Sequence, residues 1–121
     1  MSDSFADLQD AAVRFRDERD WRQFHRPKDL ALGVVTEAGE LAELFLWKTD
    51  AELEAALQEP RFRERLADEM ADVQVFLLYL ADRSGLSLPA SVLRKLEKNA
   101  LKYPVHRSRG SSRKYDDVDR P

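Results

Sequence analysis

The chain has 121 residues, no cysteine and a formal net charge of −3, from 20 basic and 23 acidic residues. A domain of this length buries a core without a structural metal, and the lack of cysteine excludes disulfide frameworks, thiolate zinc sites and a cysteine nucleophile. The slightly acidic balance gives no general attraction to nucleic acid or to an anionic membrane, so neither is expected as a partner. No apolar stretch approaches the roughly 20 residues of a membrane span, and no signal pattern is seen, so we expect a cytoplasmic protein.

The first half of the chain predicts two long helices. Only four glycines and five prolines occur, and four of the prolines lie between apolar-periodic stretches, as is typical of an all-α protein. Apolar residues at helical spacing predict the first helix over residues 4–23 and the second over residues 28–48. Residues 24–27, which end in a proline, interrupt the pattern between them.

The middle of the chain carries clear signals for helix ends. Thr49 and Glu52 have the spacing of a capping box, which predicts a short helix that ends before Pro60. A long helix is predicted over residues 61–83, and Gly85 is placed to end it in the left-handed conformation.

The last predicted helix is followed by a polar tail. Ser87 is a suitable capping residue for this helix, which ends at Tyr103 because the residue before a proline is pushed out of helical geometry. Residues 106–121 contain five basic and three acidic residues and little apolar content. We therefore predict one helical domain, residues 1–105, and a basic polar tail that is either a flexible terminus or a cover for a ligand or partner.

Four carboxylates occupy unusual positions on two of these helices. Glu37 falls inside the apolar stripe of the second helix and Glu40 at its edge, and Glu69 and Asp72 are placed similarly on the long helix. Each pair is spaced i, i+3, which puts both side chains on one face with about 5–6 Å between their Cβ atoms. A core-facing carboxylate is costly unless it meets a base, a proton or a metal ion. Glu43, on the polar side, is expected to be solvated.

The chemistry of these acids favours a hard cation. Ligation by oxygen alone suits Mg²⁺, or Mn²⁺ as its substitute, better than zinc or copper. For any single acid, an ion pair with a neighbouring arginine is the ordinary alternative. A di-iron bundle would need Glu-x-x-His motifs, and neither His25 nor His106 stands in one. A non-catalytic helical module, in which the acids stabilise an oligomer interface, is a further alternative.

The pattern resembles a known enzyme family. Glu37-x-x-Glu40, 28 intervening residues and Glu69-x-x-Asp72 resemble the ExxE…ExxD metal signature of the MazG-like all-α nucleoside triphosphate pyrophosphohydrolases. Further segments narrow the resemblance to the dCTP pyrophosphatase branch, over about residues 5–115. These segments are Glu18-Arg19-Asp20-Trp21, Phe24-His25-x-Pro27, residues 39–45, Trp47-Lys48-Thr49-Asp50 and Ser111-Ser112-Arg113-Lys114-Tyr115.

The resemblance implies a fold and a reaction. The fold would be a bundle of four to five helices that acts as a homo-oligomer, commonly a tetramer, with Mg²⁺ held by the four acids as the catalytic site. The reaction would be attack of water at the α-phosphorus of a deoxynucleoside triphosphate, which yields the monophosphate and pyrophosphate and serves nucleotide-pool sanitation. The implied substrate is dCTP or a related pyrimidine nucleotide. The alternative is the same fold acting on dUTP or another modified nucleotide.

The resemblance also implies which side chains contact the substrate. Positions that match the nucleobase and sugar pocket are Trp21, Gln23, Phe24, His25 and Trp47. Aromatic rings stack on bases, and an amide or imidazole can read a base edge. Core or interface packing is the alternative for the two tryptophans, and helix capping is the alternative for His25.

Phosphate contacts are expected from the last helix. Lys98, Asn99 and Lys102 near its carboxyl end are candidates for holding phosphate oxygens, and complementing the helix dipole is the alternative. Two positions depart from the branch, which typically has a histidine at Ala12 and a tyrosine at Phe76, both associated with substrate contact. We therefore expect this pocket to offer its substrate fewer hydrogen bonds.

Overall fold

The structure is a computed structural model that describes residues 4–115, in which every regular element is helical. The helices are α1 (Phe5–Glu18), α2 (Pro27–Glu43), α3 (Asp50–Ala56), α4 (Pro60–Ser84), α5 (Leu88–Lys102) and α6 (Val105–Ser108), with a 3-10 turn at Arg22–Phe24. The predicted all-α class is confirmed for these residues. None of the described helices has the length and apolar character that crossing a membrane requires.

Local capping chemistry fixes several helix ends where the sequence predicts them. The Thr49 side chain accepts from the Glu52 backbone N–H, and Glu52 reaches back to the Thr49 N–H, so the predicted capping box begins α3. Ser87 accepts from the Ala90 N–H and begins α5. Gly85 ends α4 with a φ of 67°, a left-handed conformation that glycine adopts without a steric penalty.

The first helix ends earlier than predicted, at Glu18 instead of residue 23. Asp20 has a φ of 54°, which takes the chain out of helical geometry. The Trp21 N–H instead donates to the carbonyl of Arg16 at 3.1 Å. A turn and the 3-10 segment therefore replace the predicted last turn of the helix, because the backbone N–H groups there form turn hydrogen bonds instead of helical ones.

Two further boundaries differ from the prediction. The second helix ends at Glu43 instead of residue 48, and Trp47 has a φ of 66°, which is uncommon for a residue with a side chain. The four-residue α6 follows Pro104 and begins one residue before the predicted tail, and it carries too little apolar periodicity to be predicted. Residues 116–121 of the predicted tail lie outside the described residues.

The described residues form two compact units, which divide between residues 86 and 87. In the first unit, α4 packs against α2 and α1. The buried apolar side chains there are Leu30, Leu44, Phe62, Leu78, Tyr79 and Ala81. The described part of the second unit comprises α5, α6 and the residues after them, with the rings of Tyr103 and Tyr115 edge to face at 6.0 Å between centroids.

The helices α2 and α4 approach closely at Gly33, where the Phe76 ring covers the glycine. A Cβ atom added at Gly33 would lie less than 3.0 Å from three atoms of that ring. Glu37 lies about one turn after Gly33, and Asp72 about one turn before Phe76. This close contact therefore adjoins the four acids.

We expect Gly33→Ala to destabilise the protein. Alanine favours a helix by about 1 kcal/mol over glycine, but overpacking against Phe76 costs about 1–3 kcal/mol. The matched control is Gly39→Ala on the same helix, where an added Cβ meets nothing within 4 Å, so this variant should be more stable than the original chain. Urea denaturation measures both. A Gly33→Ala variant that gains as much stability as Gly39→Ala would contradict the close contact.

Candidate active site

Four carboxylates from α2 and α4 converge in the first unit. One carboxylate oxygen from each of Glu37, Glu40, Glu69 and Asp72 lies within 4.8 Å of the others. The two helices are antiparallel, since Gly33 meets Phe76 and the later Glu37 meets the earlier Glu69. The i, i+3 spacing on each helix then brings both pairs to the shared face. We refer to these four residues as the acidic cluster.

The acidic cluster has buried oxygens without partners. Glu37 and Glu69 are half-buried, whereas Glu40 and Asp72 are exposed. The Oε2 atoms of Glu37 and Glu69 are buried, and within residues 4–115 neither has a hydrogen-bond partner. Among residues 4–115, none of the ion pairs found includes one of the four acids. The arginine-paired alternative is therefore not what the structure shows.

The electrostatics of the cluster also favour a cation. Desolvation is the largest cause of the raised pKa of Glu37, followed by the hydrogen bond and charge of Glu40 and the charges of Asp72 and Glu69. Desolvation likewise raises the pKa of Glu69, followed by the charges of Glu40 and Asp72, while Arg65 acts in the opposite direction. Mutual repulsion thus opposes full ionisation, and a positive ion between the acids would relieve it.

The donor set fits a hard divalent cation. Every candidate ligand atom is a carboxylate oxygen, the type that Mg²⁺ prefers, and the two orphaned Oε2 atoms are acceptors that a cation would satisfy. Glu43, the next acid along α2, is exposed and does not belong to the cluster. The sequence therefore identified the convergent acids and separated them from a solvated neighbour.

The aromatic residues predicted for the nucleobase pocket are mostly exposed. The Trp21 ring packs edge to face on Phe15 at 5.8 Å between centroids. Trp47 is 97% exposed and Phe24 is 64% exposed, so core packing does not explain either side chain. Phe76 covers Gly33 beside the acidic cluster and lies edge to face with Tyr79 at 6.4 Å.

Gln23 and His25 lie in an open cavity of about 570 Å³, whose other lining residues are Asp20, Arg22, Arg26 and Arg83. The Gln23 amide donates to the carbonyl and to the Oδ2 of Asp20 at 3.0 Å. The His25 ring packs on Tyr79 at 4.8 Å between centroids. Its Nδ1 is buried without a hydrogen-bond partner among the described residues, so the imidazole is held by packing and does not act as a helix cap.

We expect the imidazole of His25 to titrate below its ordinary pKa. Burial is the largest cause of this lowered pKa, and the positive charge of Arg16 adds to it. The folded state therefore disfavours the imidazolium, so the stability that is present above the ordinary value of 6.5 is lost as the pH falls through the folded-state pKa. NMR titration of the ring should give a midpoint below 6.5.

Replacing His25 with asparagine should remove part of the acid-induced loss of unfolding free energy, which urea denaturation over a range of pH measures. A His25 midpoint at or above 6.5 would contradict the structure.

The burial of one charged residue, Arg16, was not predicted from the sequence. Arg16 is 3% exposed, and its Nη1 pairs with Asp82 Oδ2 at 2.8 Å and its Nε with Asp17 Oδ1 at 2.9 Å. The guanidinium carbon lies 5.8 Å from the centre of the Tyr79 ring. Arg16 lies one turn after the apolar Ala12 on the first helix, which is a signal for its burial. Its partner on α4, Asp82, is visible only in the folded chain.

The predicted phosphate contacts lie in the second unit. Lys98 and Lys102 are exposed on α5 and Asn99 is half-buried. The Lys102 ammonium lies 5.1 Å from the centre of the Tyr115 ring, and the Asn99 carbonyl accepts the Tyr103 N–H at 2.8 Å. Their contact with phosphate stays a prediction.

Comparison with known proteins finds one matching family and several similar chains. The profile of the MazG-like family matches residues 34–118. The dCTP pyrophosphatase 1 of Rattus norvegicus is 46% identical over 114 residues, which are 94% of this chain and 67% of that protein. The dCTP pyrophosphatase 1 of Homo sapiens is 46% identical over 112 residues, which are 93% and 66%. The chain thus spans about two thirds of the length of these relatives. A pyrophosphatase from Archaeoglobus fulgidus has a similar structure, with a TM-score of 0.77 and 36% identity over 86% of this chain and 95% of that one.

Proposed function

This chain belongs to the MazG-like family and is a nucleoside triphosphate pyrophosphohydrolase, and we propose that it hydrolyses dCTP or a related pyrimidine deoxynucleotide with Mg²⁺. The products are the nucleoside monophosphate and pyrophosphate. The observation that carries the proposal is the acidic cluster, with its two buried oxygens that lack partners. The identity to dCTP pyrophosphatases over most of the chain supports the substrate class.

The four acids of the cluster would hold the cation, with Mn²⁺ as a substitute for Mg²⁺. Such an ion supplies charge neutralisation for the triphosphate and lowers the pKa of the attacking water. The chain itself positions the ligands, because the packing of α2 on α4 holds the half-buried side chains of Glu37 and Glu69 in place. Glu40 and Asp72 are exposed, so substrate reaches the cluster from their side.

Further side chains are proposed for substrate binding. The exposed rings of Trp47 and Phe24 offer faces for stacking on a base, and Trp21 and Phe76 complete the proposed aromatic contacts. Lys98, Asn99 and Lys102 are proposed to hold phosphate oxygens. Gln23 and His25, which line an open cavity, are proposed to contact the nucleobase or the sugar.

We also propose that the chain acts as a homo-oligomer, in the form of the tetramer that the family resemblance implies. Large apolar side chains are exposed in the first unit, where Trp47 is 97%, Val35 68% and Leu32 53% accessible. Such exposed apolar surface is typical of an interface. Light scattering of the purified chain measures the assembly.

A panel of triphosphates tests the function. The chain is incubated with Mg²⁺ and each of dCTP, 5-methyl-dCTP, dUTP, dTTP, dATP and dGTP, and the products are separated by anion exchange. We expect the monophosphate and pyrophosphate, with the highest kcat/KM for dCTP or its methylated form. A higher kcat/KM for dUTP than for dCTP would favour the alternative substrate, dUTP. No turnover of any triphosphate would overturn the proposal.

Binding of Mg²⁺ is expected to stabilise the folded chain in the absence of nucleotide. Only the folded state assembles the acidic cluster, so at a concentration about 100 times Kd the gain is about 2.7 kcal/mol. The rise in Tm should largely disappear in Glu69→Gln and persist in the matched control Glu43→Gln. An equal rise in both variants would show that Mg²⁺ binds elsewhere.

A further inference from the structure

We propose that Arg16 is a positioning residue, whose buried side chain holds residues 21–25 in the geometry that binds substrate, a role that rests on the function proposed above for these residues. We call residues 21–25, which include the 3-10 turn Arg22–Phe24, the substrate turn. Arg16 is only 3% exposed, so it acts through the substrate turn and not by contact with a nucleotide.

The side chain of Arg16 joins the end of α1 to the end of α4. Its Nη1 donates to Oδ2 of Asp82 at 2.8 Å, and its Nε donates to Oδ1 of Asp17 at 2.9 Å. A guanidinium that bonds two carboxylates is fixed in direction as well as in position, because its donors form a rigid planar fork. The last turn of α1 is therefore held against α4 at one defined place.

The backbone of the same residue receives the chain that follows α1. The Arg16 carbonyl accepts the N–H of Arg19 at 3.2 Å and the N–H of Trp21 at 3.1 Å. The Trp21 carbonyl in turn accepts the N–H of Phe24 at 2.9 Å. The substrate turn is thus built directly on the anchored residue. An ion pair that only joined α1 to α4 could stand at any turn of α1 and would not need this position.

A second line of contacts leads from Arg16 to the other end of the substrate turn. Its guanidinium carbon lies 5.8 Å from the centre of the buried Tyr79 ring. The His25 ring packs on the same tyrosine at 4.8 Å between centroids. Because the buried Nδ1 of His25 has no hydrogen-bond partner among the described residues, this packing sets the direction of the imidazole. Both Trp21 and His25 are therefore positioned through Arg16.

The charge of Arg16 also suits His25 to the recognition of a base. Burial is the largest cause of the lowered pKa of His25, and the charge of Arg16 adds to it. A neutral imidazole offers one donor and one acceptor, whereas an imidazolium offers donors only. Arg16 thus favours the form of the ring that can both donate to a base edge and accept from it.

The anchor is remote from the acidic cluster. Asp82, the partner of Arg16 on α4, follows Asp72 by ten residues, which is about 15 Å along the helix axis. Loosening the substrate turn therefore leaves the candidate metal ligands in place. The effect of losing Arg16 should fall on substrate binding and not on the chemical step.

Steady-state kinetics of Arg16→Met, with Mg²⁺ and the best triphosphate of the panel, test this role. We expect KM to rise by about tenfold, because binding must then order the substrate turn. The value of kcat should be nearly unchanged, as is typical when binding is lost equally from ground state and transition state. Arg16→Lys keeps the charge without the planar fork, so its KM should lie between the two. An unchanged KM, or a fall in kcat at unchanged KM, would overturn the proposal.

Hydrogen exchange of the backbone amides, measured by NMR without nucleotide, tests the positioning directly. In Arg16→Met the Trp21 amide should exchange at least about tenfold faster relative to amides in the middle of α4, which report global unfolding. Equal acceleration at both places would show general destabilisation and would overturn the proposal.

The matched control is Ser4→Ala, which destabilises the same helix from its other end. The Ser4 side chain accepts the Asp7 N–H at 3.2 Å, and removal of such a cap weakens the helix without touching its last turn. Ser4→Ala should leave KM and the relative exchange of the Trp21 amide unchanged. Changes in this control as large as those in Arg16→Met would overturn the proposal.

A second variant covers the case in which Arg16→Met does not fold, which circular dichroism shows. Asp82→Asn removes the charge of the partner on α4 and should shift KM and the Trp21 exchange in the same directions. Turnover by the original chain tests the proposed function in the same assay. The amide exchange requires no nucleotide, so the positioning role and the hydrolytic function can fail separately.

Discussion

Replacing Glu40 with glutamine, or Asp72 with asparagine, is expected to lower Mg²⁺-dependent turnover by at least about a hundredfold, on the scale of losing one preorganised electrostatic contact. Each substitution removes one charged oxygen ligand from a cluster whose atoms lie within 4.8 Å of one another. The amide is nearly isosteric with the carboxylate, so the packing of α2 on α4 is preserved. Steady-state kinetics with the best triphosphate measures kcat, and circular dichroism measures helicity.

The stability of the same variants separates the metal site from an ion-paired structural role. Without metal, removal of one negative charge relieves repulsion in the cluster, so the variants should be at least as stable as the original chain in EDTA. Glu43→Gln makes the same chemical change on an exposed position of α2 and should retain full activity. Loss of folding in Glu40→Gln would point instead to a structural role for the acid.

Replacing Arg16 with methionine is expected to lower the free energy of unfolding by about 2–3 kcal/mol, near the lower end for breaking a buried ion pair. The guanidinium is 3% exposed, whereas the side chains of Asp82 and Asp17 are 34% and 51% exposed. Solvent therefore screens the two carboxylates that are left behind, which limits the cost. Methionine fills much of the same volume as arginine, so the loss of unfolding free energy reports the broken ion pair more than a loss of packing.

A double-mutant cycle with Asp82→Asn isolates the pair, because residues in contact give non-additive changes. The matched control Arg14→Met alters an exposed arginine of the same helix and should change stability by less than about 0.5 kcal/mol. In Arg16→Met the pKa of His25 should move toward its ordinary value, because the charge of Arg16 helps to lower it. Strict additivity in the cycle would contradict the pairing.

Much of the fold could be predicted because its signals are local. The capping box at Thr49 and the left-handed Gly85 depend on a few neighbouring residues, and both are present as predicted. The predicted first helix is too long, which shows the limit of periodicity. The apolar period continues past Glu18, but Asp20 turns the chain with a positive φ. A period reports which face is buried and does not report where backbone hydrogen bonding stops.

The acids of the candidate site could be found for the same reason. Glu37 and Glu69 stand on apolar stripes with Glu40 and Asp72 one turn away, and a helix converts that spacing into a shared face. The sequence by itself thus determined the helical class, the helix caps and the four convergent acids, since each follows from interactions within about one turn of the chain.

Only the tertiary structure decided how distant segments combine. The pairing of Arg16 with Asp82, the cover of Phe76 over Gly33 and the gathering of Arg22, Arg26 and Arg83 around one cavity join residues far apart in sequence. Local propensity carries no information about such pairs, because they depend on how α1, α2 and α4 pack. The exposed Trp47 is a further example: its aromatic character predicts a buried or stacking role, and its surroundings in the fold decide that it stays 97% accessible.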